Sequence, residues 1–269
     1  MKHTKAHFLV RACACWILFS LSPLTAEVKN ECLQVPDDIT ASQREAAMPE
    51  LGNSNLEKLL TRYYQLGLGG SDTWSGIYSM RLKGTLAFGD KVFKMRCYQR
   101  KPDRLKMILD SSHGQIVLGY DGKEAWQHMP ETNSPAALMS ADEARRFIHS
   151  SVFGNYLLYP YRSDKTIEYL GTTREMDTVC HRIRVVLQNS YSVDYYIDVR
   201  SYLDVKIVNR DLKFNTSTTL LCSDFRTING FPVAHKVVSK TDDGLETTLA
   251  LEQADFNIGL TDWMFNRPE

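Results

Sequence analysis

From Trp74 onward the apolar residues of this chain recur at every second position, and short turns break the pattern at regular intervals. Met80, Leu82, Leu86 and Phe88 alternate with Ser79, Arg81 and Lys83. Phe93, Met95 and Cys97 alternate with Lys94, Arg96 and Tyr98. Leu105, Met107 and Leu109 follow, then Ile116, Leu118 and Tyr120. The breaks fall at Gly89-Asp90, at Lys101-Pro102-Asp103 and at the hairpin signal Asp121-Gly122. A period of two puts one side of each strand in the core and the other in water, which is the pattern of antiparallel sheet. The second half repeats it. Ile183, Val185 and Leu187 form one run; Val193, Tyr195 and Ile197 the next; then Leu203, Val205 and Ile207. A Thr-rich strand over Phe214 to Cys222, the turn Asn229-Gly230 and a last strand through Leu251 complete it.

Two stretches have helical periodicity instead. Leu56, Leu59, Leu60, Tyr63 and Tyr64 predict an amphipathic helix over 55–68, ended by Gly67, Gly69 and Gly70. Ser140 and Glu143 form a capping box that predicts a helix from Ala141 to about Ser150. The aromatic segment Val152 to Tyr161 contains Pro160, which reads as a helix end and a loop lying over the sheet. The fold class is therefore α+β, mainly β.

The first 26 residues carry Lys2, Lys5 and Arg11, then an apolar run from Ala12 to Leu21, then small residues ending at Ala26. This is the layout of a secretory signal, with cleavage expected near Ala26. The run is shorter than the roughly 20 residues of a spanning helix, and no other apolar stretch approaches that length. Residues 27–54 are polar and broken by Pro36 and Pro49, and read as a poorly ordered lead with a helical turn near Ser42 to Ala47. Residues 55–269 are then expected to form a single domain, exported to the periplasm and monomeric.

Charge excludes one class of partner. The chain has 32 Lys and Arg against 32 Asp and Glu, and losing the leader removes basic residues only. No basic stripe for nucleic acid results. Cys32, Cys97, Cys180 and Cys222 lie beyond the leader; four cysteines allow up to two disulfides in three connectivities, or four small buried side chains.

Catalytic patterns are not found. His113, His128, His149, His181 and His235 are never spaced i,i+2 or i,i+4, so no local metal pair forms. There is no G-x-S-x-G elbow. Gly67 to Gly70 ends a helix, whereas a phosphate cradle opens one. Asp72, Asp121, Asp177 and Asp224 sit near turns, where Asp bonds its own backbone. Arg182, Arg184 and Arg210 fall at the solvent parity of their strands. No enzyme, cofactor or metal is expected.

The unusual quantity is the inward face. It combines Met80, Phe88, Phe93, Met95, Met107, Tyr120 and Trp126 with Phe147, Phe153 and Tyr156 from the central segment. Met and aromatic side chains fill irregular space and adapt to varied apolar partners. Such a face is an ordinary core or the wall of a cavity.

The order of several short stretches resembles the periplasmic lipoprotein carriers of the LolA family, the outer-membrane lipoprotein-sorting proteins. These stretches are the helix running into Gly69-Gly70 and the first long strand ending Gly84-Thr85-Leu86. Next come Tyr98-Gln99-Arg100-Lys101-Pro102-Asp103-Arg104 and Gly119-Tyr120-Asp121-Gly122-Lys123-Glu124-Ala125-Trp126. Tyr195-Tyr196-Ile197-Asp198, Tyr202-Leu203, Gly230-Phe231-Pro232-Val233-Ala234-His235 and the ending Leu260 to Pro268 complete the series. The resemblance covers roughly residues 55–268. It implies a curved antiparallel sheet forming an unclosed barrel, covered by helices (LolA/LolB-like), with a cavity for acyl chains. It implies lipid or lipoprotein acyl chains as ligand and a membrane-protein donor or acceptor. The polar lead and the four cysteines depart from the carrier pattern, and no arginine here aligns with the carrier's functional one. The alternative expectation is an exported β-sheet interaction or structural module with a solid core and no lipid ligand.

Overall fold

The structure is a computed structural model, and it describes residues 31–33 and 51–269 apart from His113 and Met176. The expected signal peptide and the helical turn near Ser42 to Ala47 lie outside the described residues. The chain divides into two compact units. One comprises Ile77–Asn155 with Glu246–Glu269; the other comprises the described residues before Ile77 together with Tyr156–Leu245. Fourteen strands are numbered along the chain, as are three helices: α1 Asn55–Arg62, α2 Ser71–Ser75 and α3 Ala141–His149. No helix among the described residues is long and apolar enough to cross a membrane.

In the first unit, β2 (Ser79–Phe88), β3 (Lys91–Arg100), β4 (Arg104–Ser111), β5 (Gly114–Tyr120), β6 (Ala125–His128) and β7 (Ala137–Leu138) form a meander. Strand β14 (Glu246–Phe256) joins its free edge, giving the order β14-β2-β3-β4-β5-β6-β7. All these pairings are antiparallel. The turns are built as the sequence signals them. Gly89 and Gly122 take positive φ, 56° and 97°. The Asp121 carboxylate accepts the backbone N–H groups of Lys123 and Glu124 at 2.8 Å. The capping box at Ser140 forms: Ser140 N–H donates to Glu143 Oε2 at 3.0 Å, and Glu143 N–H donates back to Ser140 Oγ.

In the second unit, β1 (Glu31–Leu33), β8 (Lys165–Glu175), β9 (Thr178–Leu187), β10 (Tyr191–Asp198), β11 (Asp204–Asp211), β12 (Thr216–Ile228) and β13 (Phe231–Thr241) lie in that order, with antiparallel pairings. Asn229 and Gly230 both have positive φ, as a two-residue hairpin turn requires. The mainly-β, antiparallel class is the one expected, and among the described residues neither order returns to pair its last strand with its first.

Four elements differ from the sequence reading. Residues 31–33, expected within a poorly ordered lead, form β1, because pairing with β8 satisfies their backbone. Trp74 does not open the first strand; it is fully buried in α2 and packs on Phe231 at 5.4 Å. Gly70, at φ 103°, lets the chain turn into that helix. Helix α1 ends at Arg62 and continues as a π turn over Tyr63–Gly67. Strand β8 was not anticipated, because a bulge between Tyr169 and Thr172 breaks its alternation.

The two faces of the second sheet are chemically opposite. Leu56, Leu59, Leu60, Tyr63 and Tyr64 of α1 and its π turn are buried, as are Ile167, Ile183, Val185, Val193 and Tyr195 of the strands. Tyr63 Oη donates to Asp204 Oδ2 at 2.7 Å and Tyr64 Oη to Leu157 O at 2.8 Å, so the helix is pinned at two points. On the other face Asp194 of β10 is fully buried beneath arginines. Arg182 Nη2 reaches it at 2.6 Å, Arg184 Nε at 2.7 Å and Arg210 Nη1 at 2.9 Å. Burial alone would raise this carboxyl. The hydrogen bonds from Arg184 and Arg182 and the charge of Arg210 outweigh it and hold the pKa down to about 2. The solvent parity read for these arginines is therefore the face of a charge cluster.

Asp194→Asn should lower unfolding free energy by about 2–3 kcal/mol, below the full cost of orphaning buried charges because the guanidinium groups keep contact with water. Its folded pKa lies below the ordinary 3.8, so the stabilisation is complete above that value and fades as pH falls toward about 2. Urea titrations of both proteins at pH 7 and pH 3 measure the difference, which should shrink at the lower pH.

Candidate functional site

Four of the ten candidate residues meet in one buried cluster of the first unit: Phe93 and Met95 from β3, Tyr120 from β5 and Phe147 from α3. Cys97, Leu105, Leu109, Leu118, Ala125 and Met139 complete its interior. Met107 of β4 packs against its margin, as do Ala144 and Ile148 of α3. Ala144, Phe147 and Ile148 stand at i, i+3 and i+4, the spacing that puts three side chains on one helical face. This face of one nine-residue helix covers the cluster.

The other candidates are placed elsewhere. Met80 and Phe88 share the inward parity of β2 but sit at its two ends, outside the cluster. Trp126 is fully buried on the opposite face, with Val117, Ala136 and Ile108. There its Nε1–H donates to Phe265 O at 2.8 Å, and Lys106 Nζ lies 5.7 Å from its ring while donating to Met264 O. Gly119 opposite it must be glycine, since a Cβ there would fall 2.2 Å from the indole. Phe153 is buried beneath Lys101, whose Nζ is 5.7 Å from the ring centroid.

Tyr156 belongs to the second unit. Its N–H donates to Tyr195 Oη at 3.0 Å, and its carbonyl accepts from Lys165 Nζ at 2.7 Å. Lys165 is itself buried, and its ammonium also donates to Leu158 O. Burial pushes the Lys165 pKa down to about 7.

A cleft of about 710 Å³ opens in the second unit. One wall is the exposed stripe of α1 and its π turn: Asn55, Lys58, Arg62 and Gln65. Its floor is aromatic: Tyr169 of β8, His181 of β9 and Tyr202. Tyr169 and His181 have ring centroids 5.9 Å apart, and His181 and Tyr202 5.8 Å apart. Tyr169 Oη and His181 Nδ1 are 3.1 Å apart. Burial pushes the imidazole's pKa down, and it pushes the Tyr169 hydroxyl up, with Tyr202 adding to the latter. Tyr202 has φ 58° in a turn whose N–H groups at Arg200 and Ser201 are held by the Asp198 carboxylate. The π turn approaches this turn closely: a Cβ on Gly67 would fall 2.2 Å from Tyr202 O. Gly67, read in the sequence as a helix stop, is required for that approach.

All four described cysteines are free thiols. Among the described residues no three His, Cys, Asp or Glu side chains are placed to hold a metal.

A family profile described as uncharacterized-protein-like matches residues 109–269, more than half of the chain. The chain belongs to that family. No curated protein matches the sequence. Three solved structures share the architecture. An outer membrane lipoprotein-sorting protein domain from Vibrio parahaemolyticus is 15% identical, with a TM-score of 0.55 over 78% of this chain and 95% of that one. A DUF1329 family protein from Desulfovibrio piger is 13% identical, with a TM-score of 0.55 over 78% and 95%. A LolA superfamily protein from Nitrosomonas europaea is 11% identical, with a TM-score of 0.53 over 80% and 99%. These three structures share the fold of this chain, and it is the fold that the sequence resemblance implied.

Lys165 gives a pH signature. With a folded pKa of about 7 against an ordinary 10.5, the folded protein has lost a proton that the unfolded chain still holds between those values. Stability from this group therefore rises with pH, by at most about 1.4 kcal/mol per unit. Lys165→Met should flatten the stability profile between pH 7 and pH 9.5, measured by denaturant titration at several pH values.

Proposed function

We propose that the protein is a non-catalytic periplasmic carrier that holds lipid acyl chains or the acyl groups of lipoproteins. The observation that carries this reading is the Phe93–Met95–Tyr120–Phe147 cluster with its single helical cover, in a fold shared with lipoprotein-sorting proteins. Residues 55–269 act in it as one lipid-binding domain, exported by the leader at 1–26 and working as a monomer. A membrane protein gives or receives the cargo. Of the ten apolar residues read from the sequence, Phe93, Met95, Met107, Tyr120 and Phe147 form the proposed wall; Met80, Phe88, Trp126, Phe153 and Tyr156 lie outside it.

Energetics favour an opening cover. Helix α3 has nine residues, too few to persist in water through its own hydrogen bonds. Ala144, Phe147 and Ile148 hold it down. Exposing them costs on the order of 5 kcal/mol at ordinary burial coefficients. An acyl chain gains about 0.8 kcal/mol for each buried methylene, so roughly six methylenes offset the opening and a long chain exceeds it. Met95 and Met107 suit such an exchange, because an unbranched thioether repacks with little strain.

The test is native mass spectrometry of protein released from the periplasm without detergent. Bound phospholipid or acylated peptide is expected on the unmutated protein. Met95→Asp should abolish its retention, whereas Val92→Asp, on an exposed position of the same strand, should leave it intact. A lipid-free protein that also refuses added phospholipid would replace this reading with the solid-core interaction module.

A further inference from the structure

The cleft of the second unit is chemically unlike an acyl site. Its wall presents two cations from one helical stripe, Lys58 and Arg62 at i and i+4, both exposed. Among the described residues neither makes an ion pair or a side-chain hydrogen bond. Among the described residues no acidic side chain lines the cleft. Two carboxylates close in sequence to the lining residues are committed to other partners. Glu57 accepts from Gly52 and Ser54 N–H and from Tyr161 Oη, and Asp204 accepts from Tyr63 Oη. An uncompensated positive wall attracts an anion, and an arginine and a lysine together give both a planar fork and a point charge for it.

The floor supplies the other half. Tyr169, His181 and Tyr202 form a run of neighbouring rings, each only half-buried, so ring surface is left open to the cleft. Aromatic faces of this kind take flat or ring-shaped bodies by stacking. Asn55 and Gln65 stand at the two ends of the helical stripe and offer amide donors and acceptors to polar substituents. A volume of about 710 Å³ lies within the range of small-molecule sites. The rings are positioned by backbone devices already described: Gly67 allows the approach to Tyr202, and the Asp198 carboxylate holds its turn.

We propose that this cleft binds a small anionic molecule with a planar or ring-shaped body, its charge at Lys58 and Arg62 and its ring against Tyr169, His181 and Tyr202. The site is separate from the proposed acyl cluster, which lies wholly in the other unit.

Phenyl phosphate carries both features in one molecule and is the probe, with inorganic phosphate and phenol as the charge-only and ring-only controls. Isothermal titration of the full protein should show phenyl phosphate binding at least tenfold tighter than either control. Arg62→Gln and Lys58→Gln should each weaken it by about tenfold, as loss of one charge-assisted hydrogen bond implies. His181→Ala should remove the advantage of phenyl phosphate over inorganic phosphate. Melting curves check that each variant is folded, and both charge variants alter exposed side chains only. Unchanged affinity in a folded Arg62→Gln, Lys58→Gln double variant, or equal affinity for phenyl phosphate and phosphate, would overturn the proposal. Retention of acyl cargo in the double variant keeps the two sites distinguishable, since failure of the cleft leaves the carrier reading untouched.

Discussion

An antiparallel sheet with one apolar face has to cover that face, and in this protein each unit does so with a short helix. Helix α1 covers strands of the second unit and α3 those of the first. Neither is long enough to form independently, eight and nine residues respectively. Both begin with the same device, a Ser at the N-cap and a Glu three residues on, Ser54 with Glu57 and Ser140 with Glu143. The capping box satisfies amides that would otherwise be orphaned, and side-chain burial supplies the rest. Helix position is therefore set by the sheet beneath it and by its first turn.

The two covers differ in the contacts their inward residues make. The π turn after α1 contributes Tyr63 and Tyr64, whose hydroxyls donate to Asp204 and to the Leu157 carbonyl. Tyr161 also donates to Glu57 within the capping box. These bonds tie α1 and its π turn to two separate segments of their own unit, β11 and the loop before β8. Among α3's inward residues, Ala144, Phe147 and Ile148, contact with the sheet is apolar and carries no direction. Apolar burial tolerates exchange of one partner for another of like volume, whereas a network of directed hydrogen bonds does not. A cover of the first kind suits a fixed cleft; one of the second kind suits exchange with an acyl chain.

The sheet is the part most legible in the sequence, because period-two alternation and turn residues report the same thing independently. Gly89-Asp90, Asp121-Gly122 and Asn229-Gly230 fall where strands end. What escaped was set by long-range contact. The bulge in β8 hid a strand of eleven residues. Strand β1 has three residues and exists only by pairing with β8. Trp126 has the apolar character of a cavity wall, yet the register with Gly119 puts it on the other face. Asp194 drew no reading from the sequence, because its role depends on three arginines brought from two neighbouring strands. The cleft was invisible for the same reason. Lys58 and Arg62 are ordinary solvent-face charges of a helix until Tyr169, His181 and Tyr202 are placed beside them.

That last pairing shows how one amphipathic helix can serve two purposes. The residues of α1 that fix its position, Leu56, Leu59 and Leu60, leave its opposite stripe free of packing constraints. Stability therefore does not dictate the residues along that stripe, and charge there is cheap because it stays in contact with water. Where the edge of such a stripe meets a sheet whose rings are half-exposed, a binding cleft forms without disturbing the core. The bonds through Tyr63 and Tyr64 hold that edge in place. A substitution of Lys58 or Arg62 should accordingly change what the cleft holds while leaving the fold that builds it intact, which separates recognition from stability at this site.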